Sequence, residues 1–360
     1  MTIDRAAILS ALRSVSVPGR DVNLTDADIV RALTIDGTTV RFVIEVDPSE
    51  GAKLEPMRAE AEAVVRALPQ VDNVSVILTA HGPAAAQPKT PPSLKVGRHA
   101  KPQAGPAAVP GVRNIILVGS GKGGVGKSTV AANLAIALSQ EGKAIGLLDA
   151  DIYGPSQPRM MGLSARPESP DGQTIVPLVG HGVTMMSIGL MVGEGEAIIW
   201  RGPMLMGALQ QLLGQVAWGE LDALIVDLPP GTGDVQLTLS QKYHLKGAII
   251  VSTPQDVALL DARKALDMFN KTKTPVLGLV ENMASYICPK CGHEEFIFGR
   301  GGMRKEAKNL GLPFLGEVPL ELEIRLGGDA GRPVVVSQPK SREAEAFRKM
   351  ARSLIDSGHL

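Results

Sequence analysis

Residues 121–128 read Gly-Lys-Gly-Gly-Val-Gly-Lys-Ser, the spacing G-x-x-x-x-G-K-[ST]. Gly121, Gly123, Gly124 and Gly126, with Val125 between them, let successive backbone N–H groups converge on a polyphosphate. Lys127 is placed to bridge the terminal phosphates, and the Ser128 hydroxyl to bind Mg²⁺, with Thr129 adding a phosphate contact. Two acidic segments suit the same chemistry. The apolar run Ile145–Leu148 ends in Asp149-Ala-Asp151-Ile-Tyr-Gly-Pro-Ser156, and Leu224-Ile-Val226 ends in Asp227. Carboxylates at the carboxyl ends of strands face the ligand crevice of an open α/β sheet. Asp227 is expected to hold Mg²⁺ and Asp149 to support its shell. Pro229-Pro-Gly-Thr-Gly-Asp234 follows, where Gly231 and Gly233 can offer N–H groups to a γ-phosphate and let the loop move. Spacing identifies no arginine finger, although Arg201 in Trp200-Arg-Gly-Pro203 could serve as one.

The only two cysteines, Cys288 and Cys291, lie in one Cys-Pro-Lys-Cys segment. That count excludes a disulfide framework. Two thiolates at this spacing are half of a four-ligand metal site. Three readings remain: two chains sharing one [4Fe–4S] cluster, two chains sharing Zn²⁺, or a dithiol redox switch. His293 reads as an exposed loop residue.

These groups need elements to position them. From Arg113 onward, continuous apolar runs alternate with helical stretches: Ile115–Val118, Ala144–Leu148, Ala223–Val226, Ala248–Val251 and Val276–Val280. Runs without alternation suit strands covered on both faces, hence a parallel α/β sheet. The phosphate loop sits between such a strand and a helix over Thr129–Glu141, with Gly142 as its stop. Residues 1–80 read as a small α+β domain. Ile8, Leu9 and Leu12 recur at helical spacing, Val40, Phe42, Ile44 and Val46 alternate, and Pro56–Leu68 is amphipathic. Residues 81–112 are rich in Pro and Ala and read as a flexible linker. The third segment, 113–360, carries the nucleotide and cysteine motifs.

Composition bounds the function. Lys plus Arg and Asp plus Glu are both 37 in 360 residues, which argues against a wholly basic nucleic-acid or membrane binder. No apolar run reaches the roughly 18 residues needed to cross a bilayer. Met1–Arg5 lacks a secretory pattern. The expectation is a soluble, cytoplasmic protein without nucleic-acid or membrane partners.

The early lysine Lys122 makes the loop resemble the deviant phosphate loop of MinD, ParA and ArsA-type ATPases. That resemblance implies that Lys122 acts in trans across an ATP-closed homodimer, that Asp151 orients the attacking water, and that Asn282 of Glu281-Asn-Met283 recognises adenine. The ordered set is more specific still. Besides the segments quoted, it contains Ile199-Trp-Arg-Gly-Pro-Met204, Phe298-Gly-Arg-Gly-Gly302 and Gly316-Glu-Val-Pro-Leu320. Together these resemble the Mrp/ApbC-type iron–sulfur cluster carrier ATPases, over roughly residues 110–345. The resemblance implies a P-loop NTPase fold of the deviant class and a slow ATPase. It also implies a [4Fe–4S] cluster on Cys288 and Cys291 of two chains, passed from a donor to apo-proteins. The first 80 residues resemble the small domain of bacterial members, but Val46-Asp-Pro-Ser49 lacks a cysteine found in some of them. The alternatives are a ParA/MinD-like positioning ATPase, with Ser341–Ile355 as a membrane-targeting helix, and a zinc-dependent insertase.

Overall fold

The computed structural model describes residues 4–18, 22–27, 29–36, 38–46, 54–69, 71–80, 106–191 and 202–360. They fall into two units, one within residues 1–88 and one within 89–360.

The first unit contains α1 (Arg5–Leu12), β1 (Val30–Asp36), β2 (Thr39–Val46), α2 (Glu55–Arg66) and β3 (Asn73–Ala80). β2 is central, antiparallel to β1 and parallel to β3. The period-two pattern places Val40, Phe42 and Ile44 inward. Ile8 and Leu12 of α1 and Met57, Ala61 and Val65 of α2 close the other side of this core. The Asp4 carboxylate accepts from the Ala6 N–H and caps α1. Gly37, between β1 and β2, and the segment Asp47–Ser49 lie outside the described residues.

In the second unit the order is β4 (Ile115–Gly119), α3 (Lys127–Gln140), β5 (Ile145–Asp149), α4 (Gln157–Met160), β6 (Leu178–Gly180), β7 (Val183–Ser187), α5 (Gly202–Gln215) and β8 (Ala223–Asp227). It continues with α6 (Asp234–Lys242), β9 (Gly247–Ser252), α7 (Asp256–Lys271), β10 (Val276–Asn282), β11 (Tyr286–Ile287), β12 (Glu294–Glu295), α8 (Gly302–Leu310) and β13 (Phe314–Val318). α9 (Leu322–Asp329), α10 (Val334–Ser337) and α11 (Arg342–Asp356) close the chain. Eight strands form one sheet in the order β13-β10-β9-β4-β8-β5-β7-β6. Every pairing is parallel except β6 with β7. The all-parallel expectation therefore changes at this edge, where His181 and Gly182 both take positive φ and turn the chain in a tight hairpin.

Every residue of β4, β5, β8 and β9 is buried. Helices α3, α10 and α11 cover one face, and α5 to α8 most of the other. α3 starts two residues earlier than expected and is buried all round, from Val130 to Leu138. Gly142, at φ +85°, ends it as expected. α11 turns Ala344, Phe347, Met350, Ala351 and Leu354 inward against α3 and β13. The apolar face offered for a membrane is thus spent on the core. No helix among the described residues is long and apolar enough to cross a membrane.

Of the expected linker, residues 81–105 lie outside the description, and its last part is pinned to this unit. Ala107 pairs with the chain at 242–244, and the Gly111 carbonyl accepts from Leu221 N–H. Gly111, at φ +75°, lies so close to Gly219 that a Cβ would meet its carbonyl oxygen at 2.1 Å.

Candidate functional site

The carboxyl ends of β4, β5, β8 and β10 converge on the loop at 120–126. Gly124 and Gly126 both take φ +81°, a conformation open to glycine and costly for other residues. Gly121 is needed for space, because a Cβ there would lie 2.1 Å from the Asp261 backbone in α7. Gly123 is exposed and Val125 buried. Thr129 is half-buried on the first turn of α3, where its carbonyl accepts from Asn133. Lys122 is half-exposed, and its ammonium has no hydrogen bond or ion pair among the described residues.

Lys127 is 6% exposed and its Nζ lies 2.5 Å from Asp227 Oδ1, 3.1 Å from Ser128 Oγ and 4.0 Å from Asp151. Asp227 is fully buried, and its Oδ2 accepts from Gln157 Nε2 at 2.8 Å. Asp149, also fully buried, accepts from the N–H groups of Asp151 and Gln157 and from Ser187 Oγ. Asp227 and Asp151 thus share one lysine, and Asp149 is close enough to Asp227 to feel its charge. Burial, then the charge of Asp227, pushes Asp149 up to about 7. Burial also raises Asp151, against the pull of Lys127.

This set of groups suits a divalent cation. The charge left over when all three acids ionise is two negative units, and the donors, Ser128 hydroxyl and Asp227 carboxylate, are the hard oxygens Mg²⁺ prefers. A buried acceptor, Gln157 Oε1, has no donor among the described residues. The Gly231–Gly233 loop sits beside this centre, with Gly231 N–H donating to the Ser120 carbonyl. Gln236 braces it through the carbonyls of Pro229 and Gly231. Arg201 and Ile199–Trp200 lie outside the described residues.

Asn282, at the end of β10, is buried, and its Nδ2 donates to the Val125 carbonyl at 2.8 Å. Its neighbour Glu281 reaches the opposite way, accepting from the N–H groups of Gly301 and Met303 at the start of α8. Between them, the chain forms the β11–β12 hairpin that carries the cysteines. Cys288 N–H donates to the His293 carbonyl and Gly292 N–H to the Cys288 carbonyl, closing a tight knuckle. Cys288 is half-buried and Cys291 exposed. The N–H groups of Cys291 and Lys290 point at the Cys288 sulfur and hold its pKa below the usual thiol range, favouring the thiolate that binds metal. Among the described residues no group of three or more His, Cys, Asp or Glu is placed to hold a metal ion. The hairpin of one chain therefore offers two thiolates and no third ligand. His293 lies beside Glu295, exposed as expected.

A family described as NUBPL iron-transfer P-loop NTPases, of the ParA type, matches residues 111–355. The chain belongs to this NUBPL-type P-loop NTPase family. A second family, described as iron-sulfur cluster assembly proteins, matches residues 5–76. The iron-sulfur cluster carrier protein of a Synechocystis strain is 45% identical over 353 residues, covering 97% of this chain and 96% of its own length. The mouse iron-sulfur cluster transfer protein NUBPL is 54% identical over 249 residues, 69% of this chain and 78% of its own. Among solved structures, a nucleotide-binding protein of Archaeoglobus fulgidus in complex with ADP superposes with a TM-score of 0.56 at 39% identity. It covers 66% of this chain and 93% of its own. The Pyrococcus furiosus cell division ATPase MinD, at 22% identity and a TM-score of 0.51 over 68% of this chain and 99% of its own, shares the fold.

In this NUBPL-type chain, sequence reasoning missed three site residues: Gln157, Gln236 and Glu281. Each acts through its burial and partners, and a lone Gln or Glu carries no spacing rule that would reveal them.

The raised Asp149 has a consequence for the metal-free protein. Its native pKa of about 7 exceeds the unfolded value, so the folded state binds the extra proton between about pH 4 and 7. Stability is then expected to fall as pH rises through this window, by roughly 3 kcal/mol between pH 5 and 8. Denaturant titrations of the metal-free protein should show that slope, and Asp149→Asn should flatten it. An unchanged slope in the variant would assign it to other groups.

Proposed function

We propose that the chain acts as a homodimeric, Mg²⁺-dependent ATPase that carries a [4Fe–4S] cluster between Cys288 and Cys291 of two protomers and delivers it to apo-proteins in the cytoplasm. One observation carries the reading: the only cysteines of the chain meet at one hairpin tip as a half-site, two short of the four thiolates such a cluster takes.

The residues divide the work as follows. The 121–126 backbone cradles the phosphates, and Lys127 leaves Asp227 to bridge the terminal ones. Ser128 and Asp227 would hold Mg²⁺, which neutralises charge on the phosphates when bound. Asp151, kept basic by burial, orients the attacking water. Lys122, without a partner among the described residues, reaches the nucleotide of the other protomer. Asn282 hydrogen-bonds the phosphate loop and leaves its carbonyl to meet the base. Because Asn282 and Glu281 are neighbours on β10, the loop that cradles ATP and the root of the cysteine hairpin are tied to one strand end. Nucleotide state thereby biases how two hairpins face each other, and so how firmly the cluster is held.

Anaerobic reconstitution with iron and sulfide tests this. A brown dimer with about four iron atoms per two chains is expected. Colourless, monomeric protein under every nucleotide condition would overturn the reading, and a colourless zinc-loaded dimer would replace it with the zinc alternative. The positioning alternative is weakened by α11, whose apolar face is buried in the core.

A further inference from the structure

Gln157 is fully buried at the start of α4, eight residues beyond Asp149. Its Nε2 donates both its hydrogens, one to Asp227 Oδ2 at 2.8 Å and one to the Ser128 carbonyl at 3.0 Å. Its backbone N–H donates to Asp149 Oδ2 at 3.1 Å. Both partners of the side-chain amide nitrogen are pure acceptors, so the orientation of the amide is forced: nitrogen on the Asp227 carboxylate and the Ser128 carbonyl, oxygen left for another donor. That oxygen, Oε1, is buried and meets no donor among the described residues. A buried acceptor left without a donor costs about as much as a lost hydrogen bond, so its retention needs a reason.

The setting supplies one. Asp227 and Ser128 are the two residues whose chemistry suits Mg²⁺, and Gln157 binds one through its carboxylate and the other through its carbonyl. Mg²⁺ dehydrates reluctantly and keeps several of its waters, each of which must donate its hydrogens to nearby oxygens. We propose that Gln157 is a positioning residue for the Mg²⁺ site: its amide nitrogen fixes the Asp227 carboxylate and the start of α3, and its Oε1 accepts from a water of the metal's hydration shell. This rests on the reading of the site as a Mg²⁺-dependent nucleotide site. It gives the segment after Asp151 a second tie to the metal, independent of the water-orienting carboxylate.

The test measures the affinity of a fluorescent ATP analogue, with Mg²⁺ and with EDTA, on the full-length wild type, Gln157→Leu and Gln157→Glu. The readout is the Mg²⁺-dependent gain in affinity for each protein. Leu nearly keeps the shape and removes both donor and acceptor. Glu loses the donor and keeps an acceptor oxygen. The expected result for Gln157→Leu is a Mg²⁺ gain, measured against its own affinity in EDTA, at least about tenfold smaller than that of the wild type, the scale of one hydrogen bond to a charged group. Gln157→Glu should keep the wild-type gain or exceed it, because a cation relieves the added negative charge beside Asp227. A full gain in Gln157→Leu overturns the proposal. So does a loss in Gln157→Glu as large as in Gln157→Leu, because a residue that only braces Asp227 would suffer most from a carboxylate. A wild type with no Mg²⁺ gain would instead overturn the Mg²⁺-nucleotide reading beneath both. Thermal unfolding of each variant without ligand confirms that it is folded, and if Gln157→Leu fails to fold, Gln157→Glu alone decides.

Discussion

Lys127→Ala is expected to abolish measurable nucleotide binding and to destabilise the ligand-free protein by about 3–5 kcal/mol at pH 8. The second effect is the less obvious. A phosphate-loop lysine is usually considered only in relation to its ligand. Here, without ligand, Lys127 Nζ sits 2.5 Å from a fully buried Asp227 carboxylate and 4.0 Å from Asp151. Among the described residues it is the only lysine or arginine in ion-pair range of Asp227 or Asp151. Removing one partner of a buried pair leaves the other charge without compensation, and that penalty exceeds the net worth of the pair itself. Proton uptake by Asp149 and Asp151 relieves part of it. Burial has already raised Asp149 to about 7 and moved Asp151 in the same direction. Part of the loss should therefore be recovered by pH 5, where protonated Asp149 and Asp151 no longer add negative charge beside Asp227. Millimolar Mg²⁺ should also restore part of it at pH 8, because a divalent cation matches the remaining charge. Denaturant titrations at pH 5 and pH 8, with and without Mg²⁺, check each part. Equal destabilisation at both pH values would mean that the cost is lost packing rather than charge.

Cys288→Ala and Cys291→Ala should each reduce reconstituted iron and sulfide from about four per dimer to near none, with stability changed by no more than about 0.5 kcal/mol. Cys291 is exposed and Cys288 only half-buried, so neither contributes appreciably to a core. The hairpin is closed by backbone hydrogen bonds between Cys288 and His293 and between Gly292 and Cys288, which alanine keeps. Loss of metal with retained fold would therefore report ligation rather than unfolding. In the proposed homodimer each substitution would remove two ligands at once, because both protomers carry it, so the effect on iron content would be far larger than removal of one ligand in four. Equal iron and sulfide in wild type and in both variants would exclude these thiols as the ligands. Visible absorption alongside metal analysis separates a cluster from zinc held by the same four sulfurs.

Much of this arrangement is legible in the amino-acid sequence, for reasons that also explain the gaps. β4, β5, β8, β9 and β10 stand out because strands covered on both faces need continuous apolar runs. β7, Val-Thr-Met-Met-Ser, and β13, Phe-Leu-Gly-Glu-Val, mix polar residues with apolar ones and escape that rule. β6 has three residues, too few for any period to show. Within the site, Lys127, Ser128 and Asp227 are visible because phosphate and metal chemistry restricts those positions to few residue types at fixed spacing. The Cys pair is visible because two cysteines in 360 residues cannot fall together at that spacing without consequence. Gln157 and Gln236 gain their importance only from what the folded chain brings to them, 70 residues away in sequence for Gln157 and Asp227. Asn282 illustrates the middle case: its place after a strand is readable, but its bond to the Val125 carbonyl belongs to tertiary structure.

β10 ends in two residues with opposite attachments, and the next residue, Met283, is a non-glycine at φ +57°. Such a conformation is costly and is kept only where the surroundings hold it firmly. The six-residue step from Asn282 to Cys288 is thus anchored at its root, rather than free to dissipate a displacement along a slack tether. A shift of the phosphate cradle by a fraction of an ångström would arrive at the sulfurs as a change of aim. In the proposed assembly, where the grip would depend on two facing claws, misalignment alone would be enough to let go.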